Sequence, residues 1–376
     1  MRLVIDATSL SRTLTGIEYY TQNLILALLS TKKNEKLTLI VQGGLPRCIT
    51  SFSEQYDVID LSNGNALYNQ VMGIPLALRK IDYDVVHFPA FPPSPFLTRY
   101  TITVHDANVW AHPETLSWKG KVYFSPLLKL ATKRARAIVT VSEFSKNEIS
   151  KYTGMSENIK NLYQTVPKKT NQSQSNKINL IEFRKLVGET PYVISVGSLE
   201  PRKNIKSLIL GMKVLWEKYK VNHNLVLVGR NAWGDKKLKQ EIKNANLTGK
   251  IIITGYVDEG LLDVLYHNAS VFAYSSIYEG FGLPLVEAMY HNVPICCSDI
   301  DVFHEIAGES VGYFNPNSID SIAHVLFKAI NSNFLSEKKL EKLYLPILNK
   351  FTFEKIGLDY WDYFRNIKKI EETKNI

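Results

Sequence analysis

Two glutamates eight positions apart, Glu279 and Glu287, bracket the string Gly280-Phe281-Gly282-Leu283-Pro284. An apolar run ending at Tyr274 reads as a buried strand, and apolar spacing from about Leu283 to His291 reads as a helix. Gly280 and Gly282 tolerate backbone angles that other residues resist and let the chain approach a ligand closely. Pro284 suits the first helical turn, where no backbone N–H is missed. The product is a helix N-terminus with free amides and a positive dipole end, a seat for phosphate. Carboxylates repel phosphate but accept hydrogen bonds from hydroxyls. A ligand with phosphates in the middle and hydroxyls at both ends is a nucleotide sugar. Either glutamate alone would as readily cap a helix or face solvent, so the weight lies on the whole string.

A second basic and glycine-bearing segment, Gly197-Ser-Leu-Glu-Pro-Arg202-Lys203-Asn204, follows the apolar run Tyr192–Val196. Gly197 ends a strand where the backbone must approach something closely. Arg202 offers a planar fork and Lys203 a compact charge for a diphosphate that gains charge as a glycosidic bond breaks. His105 and Asp106 follow the run Tyr100–Val104, at the equivalent edge of an earlier sheet. A His-Asp pair also occurs in metal phosphohydrolases, but no helical set of further His and Asp ligands supports that chemistry. Gly16, in Thr15-Gly16-Ile17, opens the first helix without forming a G-x-G-x-x-G, which removes the main support for dinucleotide binding. Asp82-Tyr-Asp84 and Asp299-Ile-Asp301 match a metal-holding Asp-x-Asp but arise easily by chance, so both are taken as structural and no metal is expected. Ser142 is expected to cap the helix that follows it.

The elements that must position these residues alternate along the chain. Strands are expected at Arg2–Asp6, Leu37–Val41, Val58–Leu61, Val85–His87, Tyr100–Val104 and Ala137–Val141, with helices at Ile17–Leu29, Leu67–Arg79 and Phe124–Ala135. The polar tract Lys168–Asn179 reads as a linker. Strands at Tyr192–Val196, Leu225–Val228, Ile251–Thr254, Val271–Tyr274 and Pro294–Cys297 follow, with helices at Ile205–Tyr219, Leu261–Asn268 and Ile319–Ile330. Strands separated by helices imply parallel pairing, and strands apolar throughout imply sheets covered on both faces. The expected architecture is α/β: two doubly wound, Rossmann-like domains. Phe353–Ile370 is amphipathic, with Ile356, Tyr360, Phe364 and Ile367 on one side.

At 376 residues, 45% hydrophobic and 22% charged, the chain has the make-up of a two-domain soluble protein. Apolar runs are too short to span a membrane, and the N-terminus turns polar too early for a signal peptide. Three cysteines, two of them adjacent, make neither a disulfide framework nor a zinc pattern, so a cytoplasmic location is expected. The net charge of +9 is uneven: residues 1–175 carry 20 basic and 13 acidic side chains, the remainder 25 and 23. The densest basic cluster is Lys129, Lys133, Arg134 and Arg136, which alone would serve as well as a solvated helix face. No nucleic-acid motif accompanies the charge, and nucleic acid is not expected as a partner.

The ordered set of motifs, Gly16, His105, Arg202/Lys203, Glu279 to Glu287 and the terminal helix, resembles the retaining glycosyltransferases of family 4 over nearly the whole chain. Glu279 and Glu287 match that family's E-x7-E signature. The resemblance implies the GT-B fold, two domains facing across a cleft with the C-terminal helix crossing back to the first domain. Residues 1–170 with 353–376 would bind the acceptor and 180–352 the nucleotide sugar. It implies catalytic roles for His105, Glu279, Arg202 and Lys203. Donor contacts would come from Gly16, Gly197, Arg202, Lys203, Glu279, Gly280, Phe281, Gly282, Leu283 and Glu287. Asp106 would orient His105 or touch the acceptor. No cofactor beyond the nucleotide sugar is implied. GDP-mannose is the first donor expected, because the N-terminal segments look most like bacterial mannosyltransferases. UDP- or dTDP-sugars are the alternative, as is a non-catalytic nucleotide-sugar-binding module. The acceptor class is a glycan or lipid-linked oligosaccharide of O-antigen, capsule or exopolysaccharide synthesis. An anionic membrane surface, with the enzyme peripheral on the inner face, would fit the basic first domain. The sequence departs from the family at Asn292, where Gly is usual, and at Cys296–Cys297.

Overall fold

The structure is a computed structural model that describes residues 1–11, 16–116, 118, 120–166, 177–230, 242, 247, 249–331 and 336–374. It comprises two compact units, Met1–Pro167 with Lys350–Ile376, and Lys168–Asn349.

Unit 1 is built on strands β1 (Arg2–Asp6), β2 (Lys36–Val41), β3 (Asp57–Asp60), β4 (Val85–Phe88), β5 (Thr101–Thr103), β6 (Ala137–Thr140) and β7 (Ile159–Asn161). They form one sheet in the order β3-β2-β1-β4-β5-β6-β7, with every pairing parallel. Chain order reverses direction between β1 and β4, the topological switch point where open α/β sheets hold ligands. β7 was not anticipated. Its three residues at the sheet edge are too few to show a pattern.

The helix Gly16–Thr31 buries Tyr20, Leu24 and Leu28 as their spacing predicts. The C-terminal helix Phe353–Lys374 lies against it, burying Ile356, Tyr360, Phe364 and Ile367. Where the two helices meet, residue 357 must be glycine: a Cβ there would sit 2.2 Å from Ala27 O. Trp361 Nε1 donates to Leu28 O at 3.0 Å, and Arg365 pairs with Glu35 at 2.5 Å.

The expected helix Leu67–Arg79 is not a single α-helix. It runs as Ala66–Tyr68, a π-turn Asn69–Gly73 and Ile74–Leu78. Pro75 has no N–H to give Val71 O, and that carbonyl instead accepts from Ser94 Oγ at 2.7 Å. A second π-turn, Gly120–Phe124, likewise precedes Pro126 in the helix Ser125–Arg134. Ser142 caps the helix Glu143–Thr153 by accepting from Ser145 N at 2.9 Å, as expected.

Unit 2 is built on β8 (Tyr192–Val196), β9 (Asn224–Val228), β10 (Ile251–Gly255), β11 (Val271–Tyr274), β12 (Ile295–Ser298) and β13 (Gly312–Phe314), ordered β10-β9-β8-β11-β12-β13. All pairings are parallel and the switch point lies between β8 and β11. The helix Ile205–Glu217 buries Leu208, Met212 and Leu215 against Val193 and Leu225 of the sheet. The tract expected as a linker ends differently: Lys177–Asn179 belong to the helix Lys177–Val187, and 168–176 lie outside the described residues. That helix was missed, as were the edge strand β13, the helix Asp301–Ala307 and the helix Glu337–Leu348, which carries Pro346 inside it. Asn292, where the family favours glycine, has φ 52°, a left-handed conformation that Asn tolerates better than most side chains. Among the described residues no helix is long and apolar enough to cross a membrane.

Candidate functional site

In unit 2 the expected residues converge on the carboxyl ends of β8 and β11. β8 is followed by Gly197, with φ 145°, and β9 by Gly229, with φ 142°. A Cβ on Gly229 would stand 2.1 Å from Gly197 O, so the two strand ends close only as glycines. Gly229 was missed, although both strands finish in Val-Gly, a signal legible in the sequence. The chain then turns through Pro201–Lys203, and Asn204 adopts a left-handed conformation before the next helix.

That turn aims Arg202 and Lys203 at Glu279. Arg202 Nη1 donates to Glu279 Oε2 at 2.7 Å and Lys203 Nζ to Oε1 at 2.5 Å. Tyr274, the last residue of β11, donates its hydroxyl to Glu279 Oε1 at 3.0 Å and accepts from Lys203 Nζ at 2.9 Å. Arg202 Nη2 also pairs with Glu200 at 2.8 Å. Lys203 and Glu279 are both buried. Burial raises the Glu279 pKa, but the charges of Arg202 and Lys203 more than reverse this and hold it at about 2. Burial lowers the Lys203 pKa, Glu279 opposes that, and Arg202 adds to the lowering. One carboxylate shared between two cations explains both directions. The basic pair is therefore not a solvated helix flank. Tyr274 was also missed, although a tyrosine closing the strand before the motif was a usable signal.

Of the two motif glycines, only Gly282 needs left-handed backbone, with φ 97°; Gly280 does not. A Cβ on Gly282 would meet Phe303 Cε1 at 2.9 Å. Gly282 is the N-cap of the helix Leu283–Tyr290, and no side chain caps that terminus; Pro284 has no N–H and Leu285 N donates to Gly282 O at 2.9 Å, so of the first three helical residues only Leu283 offers its amide to a ligand. Phe281 is buried and Leu283 is half-buried at the helix start. Glu287 lies one turn inside, where Tyr266 donates its hydroxyl to Oε2 at 3.0 Å. Burial pushes the Glu287 carboxyl up to about 7; the Tyr266 bond opposes this, while Asp263 and Glu259 add to it. Glu279 and Glu287 thus share a motif but not an electrostatic state.

In unit 1, His105 stands just past β5. Its Nε2 lies 2.9 Å from Pro89 O and must carry the proton, and burial disfavours the imidazolium. The ring is therefore neutral, with its lone pair on Nδ1. Tyr20 packs against it edge-on at 4.6 Å, and the His105 carbonyl accepts from Ser145 Oγ at 2.9 Å. Asp106 does not orient the imidazole by a hydrogen bond. Its Oδ1 accepts from Asn108 N at 2.9 Å and so caps the next turn.

Behind His105, His87 is fully buried between Thr101 and Thr103. Thr101 Oγ1 donates to Val86 O, so it accepts from His87 Nδ1. His87 Nε2 then accepts from Thr103, Thr103 from Tyr20, and Tyr20 from Tyr360. One carbonyl thus sets every proton in a chain from the C-terminal helix to β4.

Gly16 is the exposed first residue of its helix, and nothing lies within 4 Å of where its Cβ would be. Thr15 lies outside the described residues. Asp84 is held by Arg2 and Lys368, Asp82 by Arg2, and Asp299 by His304. These carboxylates have structural partners, as expected.

Comparisons with known proteins bear on the family and the fold. The family model "Glycosyltransferase Family 4" matches residues 15–166, and "Glycosyl transferases group 1" matches 176–344. The chain is 37% identical over 225 residues to the O-antigen chain mannosyltransferase RfbU of Salmonella typhimurium, covering 59% of this chain and 58% of that relative. It is 28% identical over 348 residues to the O-antigen chain mannosyltransferase B of Escherichia coli, covering 87% and 90%. Sucrose-phosphate synthase from Thermosynechococcus elongatus shares the fold with a TM-score of 0.76 at 16% identity, over 97% of this chain and 98% of that one. HepE of Anabaena, solved with UDP and glucose, gives 0.70 at 16% identity, over 97% and 100%. With both halves matched and both sheets wound alike, the chain belongs to the family 4 glycosyltransferases and has the GT-B fold.

Proposed function

We propose that this protein transfers a hexose, mannose from GDP-mannose in the first instance, to a glycan or lipid-linked oligosaccharide acceptor. Anomeric configuration is retained and no metal ion takes part. The observation that carries this is the set of half-buried Arg202 with buried Lys203 and Glu279 at the switch point of unit 2. Arg202 and Lys203 bind the diphosphate and stabilise it as it leaves, a role worth orders of magnitude in rate when the donors are preorganised. Glu279 holds the two cations in place and accepts from sugar hydroxyls. The Leu283 amide at the helix N-terminus adds to the phosphate site, and Glu287, one oxygen already held by Tyr266, accepts from the ribose. In unit 1, neutral His105 offers Nδ1 or its carbonyl to a sugar hydroxyl, while Asp106 and Gly16 contribute to substrate binding near it. The leaving diphosphate takes the proton of the attacking hydroxyl on the same face of the sugar, so no separate base is required. Mannose is favoured by the names of the relatives, both O-antigen chain mannosyltransferases. The proposed place of action is the cytoplasm, at the inner membrane face, in polysaccharide synthesis.

A thermal-shift screen against GDP, UDP, dTDP and ADP with their common sugars, with and without EDTA, tests this reading. GDP-mannose should stabilise most, and EDTA should not alter the shift. Selective stabilisation by UDP or dTDP would reassign the donor. Stabilisation by none would favour a binding module that has lost its substrate, and stabilisation only with a metal would overturn the metal-free mechanism. NMR of the product's anomeric centre decides retention.

A further inference from the structure

One face of the unit 1 sheet is covered by the helical segments 66–78 and 120–134. Ile74, Leu78, Leu128 and Ala131 enter a single core beneath them, so both segments lie on the same side of the sheet. Their outward sides expose large apolar side chains, among cations on the second segment, where this position calls for a polar surface throughout. Tyr68, Met72 and Leu76 recur at every fourth position and are 51%, 40% and 39% exposed. On the second segment Tyr123 and Leu130 are exposed, and Trp118 just before it is 67% exposed with its ring edge-on to Tyr123. The loop between the segments is tied to both, by Ser94 Oγ to Val71 O and by the Arg134 guanidinium to Pro95 O. It carries Phe96, exposed at 70%.

Around these side chains the charge has one sign. The sequence holds no acidic residue from 61 to 81 or from 115 to 142. Arg79, Lys80, Lys121, Lys129 and Lys133 are all exposed. Arg136, which the sequence groups with them, belongs elsewhere: its guanidinium donates to Ile367 O of the C-terminal helix.

We infer that this helical layer of unit 1 is a docking surface for an anionic lipid bilayer. Exposed Trp, Tyr and Phe suit the water–lipid boundary, and lysines that reach outward from an apolar face bind acidic headgroups. A second copy of the chain fits poorly, because a two-fold contact would set this positive face against itself. Lysine is depleted at the cores of protein interfaces, which also disfavours a protein partner. The inference takes its purpose from the proposed lipid-linked acceptor, but its geometry stands without it.

Flotation with vesicles tests it. The full chain should float with phosphatidylglycerol–phosphatidylethanolamine vesicles at low salt and lose that binding at high salt or on pure phosphatidylcholine. Each cation near an anionic surface contributes about five-fold in partitioning, so Lys129→Glu with Lys133→Glu should lower it at least about a hundred-fold. Trp118→Ser with Tyr123→Ser should lower it by about ten-fold. Both double variants should keep the wild-type melting temperature and nucleotide-induced shift. Failure of the wild type to float, or flotation of the variants equal to wild type, overturns the assignment. So does a wild-type dimer that the variants abolish without any vesicle binding. If partitioning follows the expected pattern while no nucleotide stabilises the protein, the enzymatic reading falls and the surface stands.

Discussion

At the switch point of unit 2, between β8 and β11, buried Lys203 and half-buried Arg202 share one buried carboxylate beside a tyrosine hydroxyl. The corresponding ground of unit 1, beside β1 and β4, is neutral: two uncharged histidines and a run of hydroxyls end on a backbone carbonyl. Both arrangements obey the rule that buried polar groups must be partnered, but they differ in what a change does. A neutral hydrogen-bonded chain mainly orders the side chains it joins. A buried ion pair has already lost its hydration, so removing one partner strands the other. Unit 2 is thus prepared for a charged ligand and sensitive to charge, while unit 1 presents His105 in a single proton state.

The largest effect that would break this contrast is at Glu279. Glu279→Gln should lower transfer by about a hundred-fold or more, the scale of losing one preorganised electrostatic partner. Glu279→Ala should also destabilise the fold by about 3–5 kcal/mol in urea titration, because Lys203 stays buried without its carboxylate. Full activity in the glutamine variant would remove Glu279 from the mechanism.

Next in size is an opposed response to pH. His87 is held at about 3 by burial and by the nearby His105. Its folded pKa lies below the unfolded value of 6.5, so its contribution is complete above 6.5 and declines as pH falls toward 3. Glu287 is raised from 4.5 to about 7, so the folded state binds its proton more tightly and stability declines as pH rises through that window. The shifts correspond to on the order of 5 kcal/mol for His87 and 3 kcal/mol for Glu287 at most. Because the His87 contribution rises with pH up to 6.5 and offsets that of Glu287, melting curves of Glu287→Gln should gain stability between pH 4.5 and 6.5 more steeply than wild type, and an unchanged slope would show that Glu287 is not the source. Glu279 has the opposite sign, its contribution present above 4.5 and lost toward about 2, so it does not mask that window.

Arg202→Ala and Lys203→Ala should each weaken nucleoside diphosphate binding by about 1.5–3 kcal/mol, read by calorimetry. Unchanged affinity would take either residue out of the diphosphate site. The smallest effect is at Glu200, whose carboxylate competes with a diphosphate for Arg202. Glu200→Gln should tighten binding a few-fold, about 1 kcal/mol, and weaker binding would mean that Glu200 orients Arg202 rather than competing for it.

Much of this architecture was legible in order and type. Strands such as Tyr192–Val196 and Val271–Tyr274 are continuous apolar runs, because both faces of a parallel sheet are covered. β7 and β13 are three-residue edge strands, too short to show a period. The broken helix from Ala66 to Leu78 was hidden because its disruption depends on Pro75 together with a serine from a distant loop. At the candidate site, the order of residues brought Arg202, Lys203 and Glu279 into consideration together. It could not show Gly229 closing on Gly197, or Tyr274 bridging Lys203 and Glu279.

By itself, then, the sequence determined which segments form sheets, where the glycines and the helix N-terminus must lie, and which charged residues follow strand ends. These follow from local conformation and hydrophobic period, which act over a few residues. Only the tertiary structure decided the charge states. Glu279 near 2 and Glu287 near 7 are the same side chain on one short motif, separated by which distant residues face them and how much water each has lost. It also decided that Arg136 turns inward to the C-terminal helix while Lys129 and Lys133 face outward. Electrostatic energies depend on distance and desolvation in space, and neither is encoded at any single position in the chain.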